Sequence, residues 1–337
     1  MSDRAGVPST EALARLEAWP RQLLAMLPTQ LVAADQLARS LGASAASIYL
    51  KIDADTGLGL GGNKVRKLEY ELAPDRIAGV THVITTGGPQ SNHCRVTAAA
   101  SAHLGRKCVL VINGTVEGKP RGNALLQRLF GAEILTVAGR AERAPAMEQA
   151  ARDIAAAGGR ALVIPLGAST PLGALGYARA AVELDAQLAQ LPPVARTWIF
   201  LSSSSCGTLA GLLLGFSLLE REDVRLVGVS ADTPEAEMRR DAVGIATDAG
   251  VLLGWKGRVL TGILSCDDTQ VGEGYGIPTP ASDEATRLLG ATQGVVLDPF
   301  YTAKAMAGML AWIRSGRVPP DDRVVFVHTG GHPAFLA

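Results

Sequence analysis

"TGLGLGGNKVRKLEY", residues 56–70, is the stretch on which the reading of this chain turns. Gly57, Gly59, Gly61 and Gly62 fall within six residues, and Lys64, Arg66 and Lys67 follow at once. Glycines at that density let backbone approach another group closely, because none carries a Cβ and all tolerate φ > 0. Gly57, Gly59 and Gly62 match the G-x-G-x-x-G spacing of a dinucleotide loop. That fingerprint needs an acidic residue ~20 positions on to hold the ribose. The corresponding segment, "AGVTHVITTGG" at 78–88, has none, so an NAD-dependent oxidoreductase is only a remote alternative. The competing reading is a glycine collar around Lys64. A lysine on the first turn of a helix, held against neighbouring backbone, is desolvated, which disfavours the ammonium form and leaves a nucleophilic amine. Equally, Lys64, Arg66 and Lys67 fit an ordinary solvated helix face, and these residues alone do not choose.

Outward from this stretch, short β-branched runs alternate with Ala/Leu-rich segments. The pattern predicts strands at 47–52, 82–86, 108–112, 132–137, 160–166, 197–202, 224–231 and 323–330. Helices are predicted at 91–104, 122–130, 144–158, 172–190, 207–220, 282–290 and 302–315. Such alternation implies an α/β protein with parallel-rich, twisted sheets flanked by helices. Ligands of such sheets bind at the carboxyl ends of the strands, where "TGGPQSNH", "SSSSCGT" and "HTGGH" fall. The Pro192-Pro193 pair marks a connection between sheets.

Composition bounds the function. At 337 residues the chain exceeds one comfortable core and is expected to form two domains. Its 32 basic and 32 acidic residues cancel, which argues against a nucleic-acid or anionic-membrane partner. The longest strongly apolar run, "AGLLLGFSLL" at 210–219, is about half the ~20 residues of a membrane span. The first twenty residues carry an early acid and no apolar core, so the expectation is a cytoplasmic protein without a signal peptide. Cys94, Cys108, Cys206 and Cys266 show no C-x-x-C pairing, so neither a zinc site nor a disulfide framework is expected.

Two further loops carry chemistry. In "TTGGPQSNHCR" (85–95), Ser91 is placed as an N-cap, and the turn's free N–H groups suit a carboxylate. His93 fits a surface position as well as a catalytic one. In "SSSSCGTLAG" (202–211), four serines, Gly207 and Thr208 stand at a helix N-terminus and suit a phosphate, but the G-K-[ST] of a nucleotide loop is missing. A lysine in a glycine collar, a carboxylate turn and a phosphate cradle together describe pyridoxal phosphate chemistry.

Six motifs, in order, then resemble one family. They are "TGLGLGGNKVRKLEY", "GGPQSNHCRVTAAASAHLG", "PLGALGY", "GYGIPT", "GVVLDPFYTAKAMAGM" and "HTGGHPAF". From about residue 28 to the C-terminus, the chain is similar to the D-cysteine desulfhydrase and 1-aminocyclopropane-1-carboxylate (ACC) deaminase group. These are pyridoxal-phosphate enzymes of the tryptophan-synthase-β-like fold, fold type II.

The resemblance implies Lys64 as the Schiff-base lysine, with Asn63, Lys67, Asn92, Ser205, Cys206, Gly207, Thr208, Thr302 and Thr329 around the cofactor. It implies Lys64, Ser91, Tyr275 and Tyr301 as catalytic residues, and Gln90, Ser91, Asn92, His93, Tyr275 and Tyr301 around a small amino-acid substrate. Thr302 and Thr329 stand where the deaminases carry Glu and Leu, and His93 where they carry Gln. D-cysteine is therefore expected before ACC, with L-cysteine, cysteate and other β-substituted alanines as sister substrates. A hydroxyl from Thr329 toward the pyridine nitrogen would leave that nitrogen uncharged, which suits elimination. Pro89 and His332 depart from the family pattern and are expected to border the substrate. A homodimer is implied, with a large domain of residues 1–66 and 176–337 and a small one of 67–175 closing over the cofactor.

Overall fold

The computed structural model describes residues 7–42, 46–114 and 118–337; the first six residues of the N-terminal segment read above lie outside them. Among the described residues, ten strands run in chain order: β1 (Leu31–Ala33), β2 (Ser47–Lys51), β3 (His82–Gly87), β4 (Lys107–Asn113), β5 (Glu133–Val137), β6 (Ala161–Val163), β7 (Thr197–Ser203), β8 (Val224–Ser230), β9 (Leu264–Asp267) and β10 (Arg323–Val327). They form two sheets, ordered β1-β2-β10-β7-β8-β9 and β5-β4-β3-β6. Only β1 runs antiparallel to its neighbour; every other pair is parallel. The expected α/β architecture is the one observed.

The differences from the sequence pattern have local causes. β6 stops at Val163, short of the expected 166, because Pro165 has no N–H and Leu166–Ala168 turns into a 3₁₀ helix. β10 stops at Val327, short of 330, since Gly330 and Gly331 take φ of +99° and +107°. The three-residue β1 and four-residue β9 were not expected, nor was the 18-residue helix Glu235–Leu252. That helix buries a stripe of Met238, Ala242, Ala246 and Ala249, which gives a faint apolar signal.

Parallel pairing sets three loops side by side. β10 lies between β2 and β7, with Val327 opposite both Lys51 and Leu201. The glycine run after β2, the "HTGG" turn after β10 and the serine loop after β7 therefore leave the sheet at one edge. The junctions are hydrogen bonded: Asn63 N donates to Thr329 O at 2.9 Å, and the Ser202 and Thr329 hydroxyls are 3.1 Å apart. The turn after β3 comes from the four-stranded sheet, and the helix Asn92–His103 follows it.

The glycine collar serves this junction. A Cβ on Gly61 (φ +65°) would lie 1.9 Å from Ala54 O, and one on Gly330 would lie 2.8 Å from Gly62 Cα. Arg95, fully buried, donates to the carbonyls of Gly59 and Gly61 and ties the run to the Asn92–His103 helix. The solvated-face reading of Lys64, Arg66 and Lys67 is overturned. Arg66 is 1% exposed and paired with Asp53 and Glu183, while Tyr177 donates to Asp53 at 2.5 Å. This network fastens the helix Lys64–Glu71 to the helix Pro171–Leu188. The latter packs in turn on Gly207–Leu218, a helix buried on every side.

Candidate active site

Lys64 begins its helix and faces a cavity of about 320 Å³, at the small end of the ~300–1,000 Å³ of ligand sites. Burial lowers its ammonium to about 8, against the pull of the Asp298 carboxylate, and the Arg95 charge lowers it further. Its Nζ lies 5.8 Å from the centroid of the Tyr301 ring. The Tyr301 and Tyr275 hydroxyls are 2.5 Å apart. Burial holds Tyr301 well above the phenol range and pushes Tyr275 up to about 12, so both keep their protons near neutrality. Lys67, one turn after Lys64, donates to Ser169 Oγ at 3.3 Å. Burial, and then the charge of Lys64, depress its pKa well below the usual lysine value.

The serine loop closes the opposite wall. Cys206 takes a left-handed φ of +61°, which turns the chain into the helix Gly207–Leu218. Ser169 Oγ accepts from Gly207 N at 3.2 Å and donates to Ser205 Oγ at 2.8 Å. Thr208 Oγ1 accepts from Asn63 Nδ2 at 2.9 Å, which leaves its own proton free to donate. The Ser204 hydroxyl is buried without a partner. A phosphate fits this set: the helix N-terminus, an orphaned hydroxyl, the free Thr208 proton and the Lys67 amine converge on one pocket wall. On the third side, Ser91 caps its helix as expected, accepting from Cys94 N at 3.2 Å. Asn92 Oδ1 accepts from Asn123 Nδ2, which leaves its own amide protons for a ligand. His93 is buried, its Nε2 2.7 Å from Thr85 Oγ1, and burial holds it neutral.

The structure thus gathers Lys64, Lys67, Asn63, Ser91, Asn92, His93, Ser205, Cys206, Gly207, Thr208, Tyr275 and Tyr301 around one cavity. Five expectations need correction. Thr302 is fully buried off the cavity, its hydroxyl donating to Asp298 Oδ2 at 2.7 Å. Gln90 is outside the lining, its side chain accepting from Asn123 N and donating to Arg121 O. His332 meets His328 edge-on, centroids 4.9 Å apart, in a separate cavity. Pro89 does not line the site either; its carbonyl accepts from Gln127 at 3.1 Å. Thr329 lies behind the wall, where its hydroxyl meets Ser202.

Other residues were not singled out from sequence. Asp298 accepts from the N–H groups of Phe300, Tyr301 and Thr302 and so shapes the turn that presents Tyr301; "LDPFYT" held that signal. Arg140, Arg143 and Asp232 also line the cavity, and Ser169 braces the serine loop through Ser205 and Gly207; no local pattern marks any of them.

A desolvated lysine and a phosphate-binding helix terminus at one sheet edge, faced by a carboxylate turn from the second sheet, define an enzyme site of the pyridoxal phosphate class. A family model described as pyridoxal-phosphate dependent enzyme matches residues 23–330. D-cysteine desulfhydrases of Salmonella choleraesuis (strain SC-B67) and Salmonella newport (strain SL254) are each 36% identical over 330 residues, 96% of this chain and 98% of theirs. A crystal structure of an ACC deaminase homologue superposes with a TM-score of 0.86 at 34% identity, covering 97% of this chain and 96% of that one. Threonine deaminase isoform 2 of Solanum lycopersicum shares the fold alone, at a TM-score of 0.66 and 16% identity, over 97% of this chain and 92% of its own. The chain belongs to the pyridoxal-phosphate-dependent enzyme family, and pyridoxal 5'-phosphate is its cofactor.

Proposed function

We propose that this enzyme eliminates the β-substituent of a small amino acid, D-cysteine first, and yields pyruvate, ammonia and sulfide with uptake of one water. The observation that carries this reading is the meeting of a lysine amine lowered to about 8 with Ser91 and the Tyr275–Tyr301 pair in one cavity. The D-cysteine desulfhydrase relatives support the choice of substrate. Bound pyridoxal phosphate supplies the electron sink that acidifies the substrate α-carbon.

The chain's own groups do the rest. Lys64 would hold the cofactor, and the Gly207–Leu218 N-terminus with Ser204, Ser205, Thr208 and Lys67 its phosphate. The Asn92–His103 N-terminus takes the substrate carboxylate, with Ser91 and Asn92 donating. Lys64 and Ser91 are the groups at hand for the α-proton. Tyr301, which keeps its proton, donates toward the departing sulfur. Loss of a thiolate needs less electron withdrawal than opening a cyclopropane. We also infer a cytoplasmic homodimer in which residues 67–175 move against 1–66 and 176–337 and shut water out of the cleft. Among the described residues, no helix is long and apolar enough to cross a membrane.

The test is a side-by-side assay of D-cysteine, L-cysteine and ACC at saturating cofactor. Sulfide and pyruvate should form fastest from D-cysteine, with ACC essentially untouched. Faster ammonia release from ACC than from either cysteine enantiomer overturns the reading.

A further inference from the structure

We propose that Arg143, seconded by Arg140, holds the substrate's β-substituent and selects amino acids in which that substituent is an anion, a thiolate or a sulfonate. The proposal rests on the elimination reading above. Both arginines line the cavity of Lys64 but arrive from the four-stranded sheet: Arg140 opens the 3₁₀ turn after β5, and Arg143 begins the helix Arg143–Ala156.

Contacts run unbroken from the reactive amine to Arg140, three residues before Arg143 on the same cavity wall. Lys64 Nζ lies 5.8 Å from the Tyr301 ring centroid. The two tyrosine hydroxyls touch, and the Arg140 guanidinium carbon lies 5.6 Å from the Tyr275 ring centroid. Arg140 is answered by Asp232 at 3.3 Å, an exposed pair of little strength. Arg143 differs. It donates to the Asn113 carboxamide, its Nε is buried without a partner, and among the described residues no carboxylate forms an ion pair with it. A half-buried guanidinium without a counter-charge calls for an anion.

Two anions of the working enzyme already have places. The cofactor phosphate goes to the serine loop, and the substrate carboxylate goes to the turn at Ser91 and Asn92. The third is the β-substituent. A cation beside it favours the bound anion and the electron pair that sulfur keeps when the Cβ–S bond breaks, while the α-proton goes to Lys64 or Ser91.

The experiment uses cofactor-loaded wild type, Arg143→Met and Arg143→Lys. For each, kcat/KM on cysteate, whose sulfonate is always ionised, is divided by kcat/KM on β-chloroalanine, whose substituent is neutral. A charged hydrogen bond lost in Arg143→Met lowers this ratio about ten- to a hundredfold, mainly through KM, and Arg143→Lys recovers part of it. The cysteate concentration that half-shifts the cofactor's absorbance band should rise by the same factor. Equal losses on both substrates, an unchanged ratio, or a wild type that reacts with β-chloroalanine and neither turns over nor binds cysteate overturns the role of Arg143 alone. A wild type that releases pyruvate from no β-substituted alanine overturns the elimination reading and this proposal with it.

Discussion

Lys64 owes its chemistry to surroundings that its own sequence neighbours only partly reveal. Burial and the Arg95 charge outweigh the Asp298 carboxylate and lower its pKa from 10.5 to about 8. The amine is reactive once it loses its proton, so reactivity rises with pH through the folded-state value and levels off above it. At pH 7 about a tenth of Lys64 is neutral, against well under a thousandth of a solvated lysine titrating near 10.4. In cofactor-free protein, acetic anhydride labelling of Lys64, followed by mass spectrometry across pH, should therefore turn at about 8. A midpoint near 10 would mean that the amine is solvated. The glycine run made Lys64 legible in the sequence. Arg95, Asp298 and Arg143 were not legible, because their roles come from what folds against them and not from spacing along the chain.

At the scale of elements, the serine loop was readable because small polar residues interrupt an apolar strand and an apolar helix. Thr302 was misread for a reason four residues away: Asp298 captures its hydroxyl and turns it from the cavity. Removing the Thr208 hydroxyl in Thr208→Val deletes one donor to a charged phosphate, worth about 1.5–3 kcal/mol, or about ten- to a hundredfold in cofactor affinity. Fluorescence titration of cofactor into cofactor-free protein measures this, and unchanged affinity would place the phosphate elsewhere. The helix after the loop must also pack closely. A Cβ on Gly211 would lie 2.3 Å from Ala174 O and 2.4 Å from Tyr177 Cβ. Gly211→Ala gains ~1 kcal/mol in helix propensity, yet the clash with backbone should leave a net loss of about 1–3 kcal/mol. Urea unfolding tests it; a variant as stable as wild type would mean that the helices have room to part.

Across the whole molecule, strand–helix alternation disclosed parallel sheets flanked by helices, and the strand-end loops it marked line one cavity. The strand order was not disclosed, since β10 joins β2 and β7 over separations of well over a hundred residues and no local pattern encodes such pairing. That pairing is what brings the glycine run, the "HTGG" turn and the serine loop to one edge, with Lys64 between them and the carboxylate turn of the second sheet. Other lysines have other occupations: Lys304 Nζ donates to the carbonyls of Val271 and Gly274 at 2.8 Å each, and Lys67 is turned to Ser169. The central claim is that this one amine holds the cofactor, and borohydride reduction of the cofactor-loaded enzyme with peptide mapping tests it most directly. The reduced cofactor should be found on the peptide that contains Lys64, at that residue, with no label in Lys64→Ala. A label on Lys67 or Lys304, or one that survives in Lys64→Ala, would contradict it.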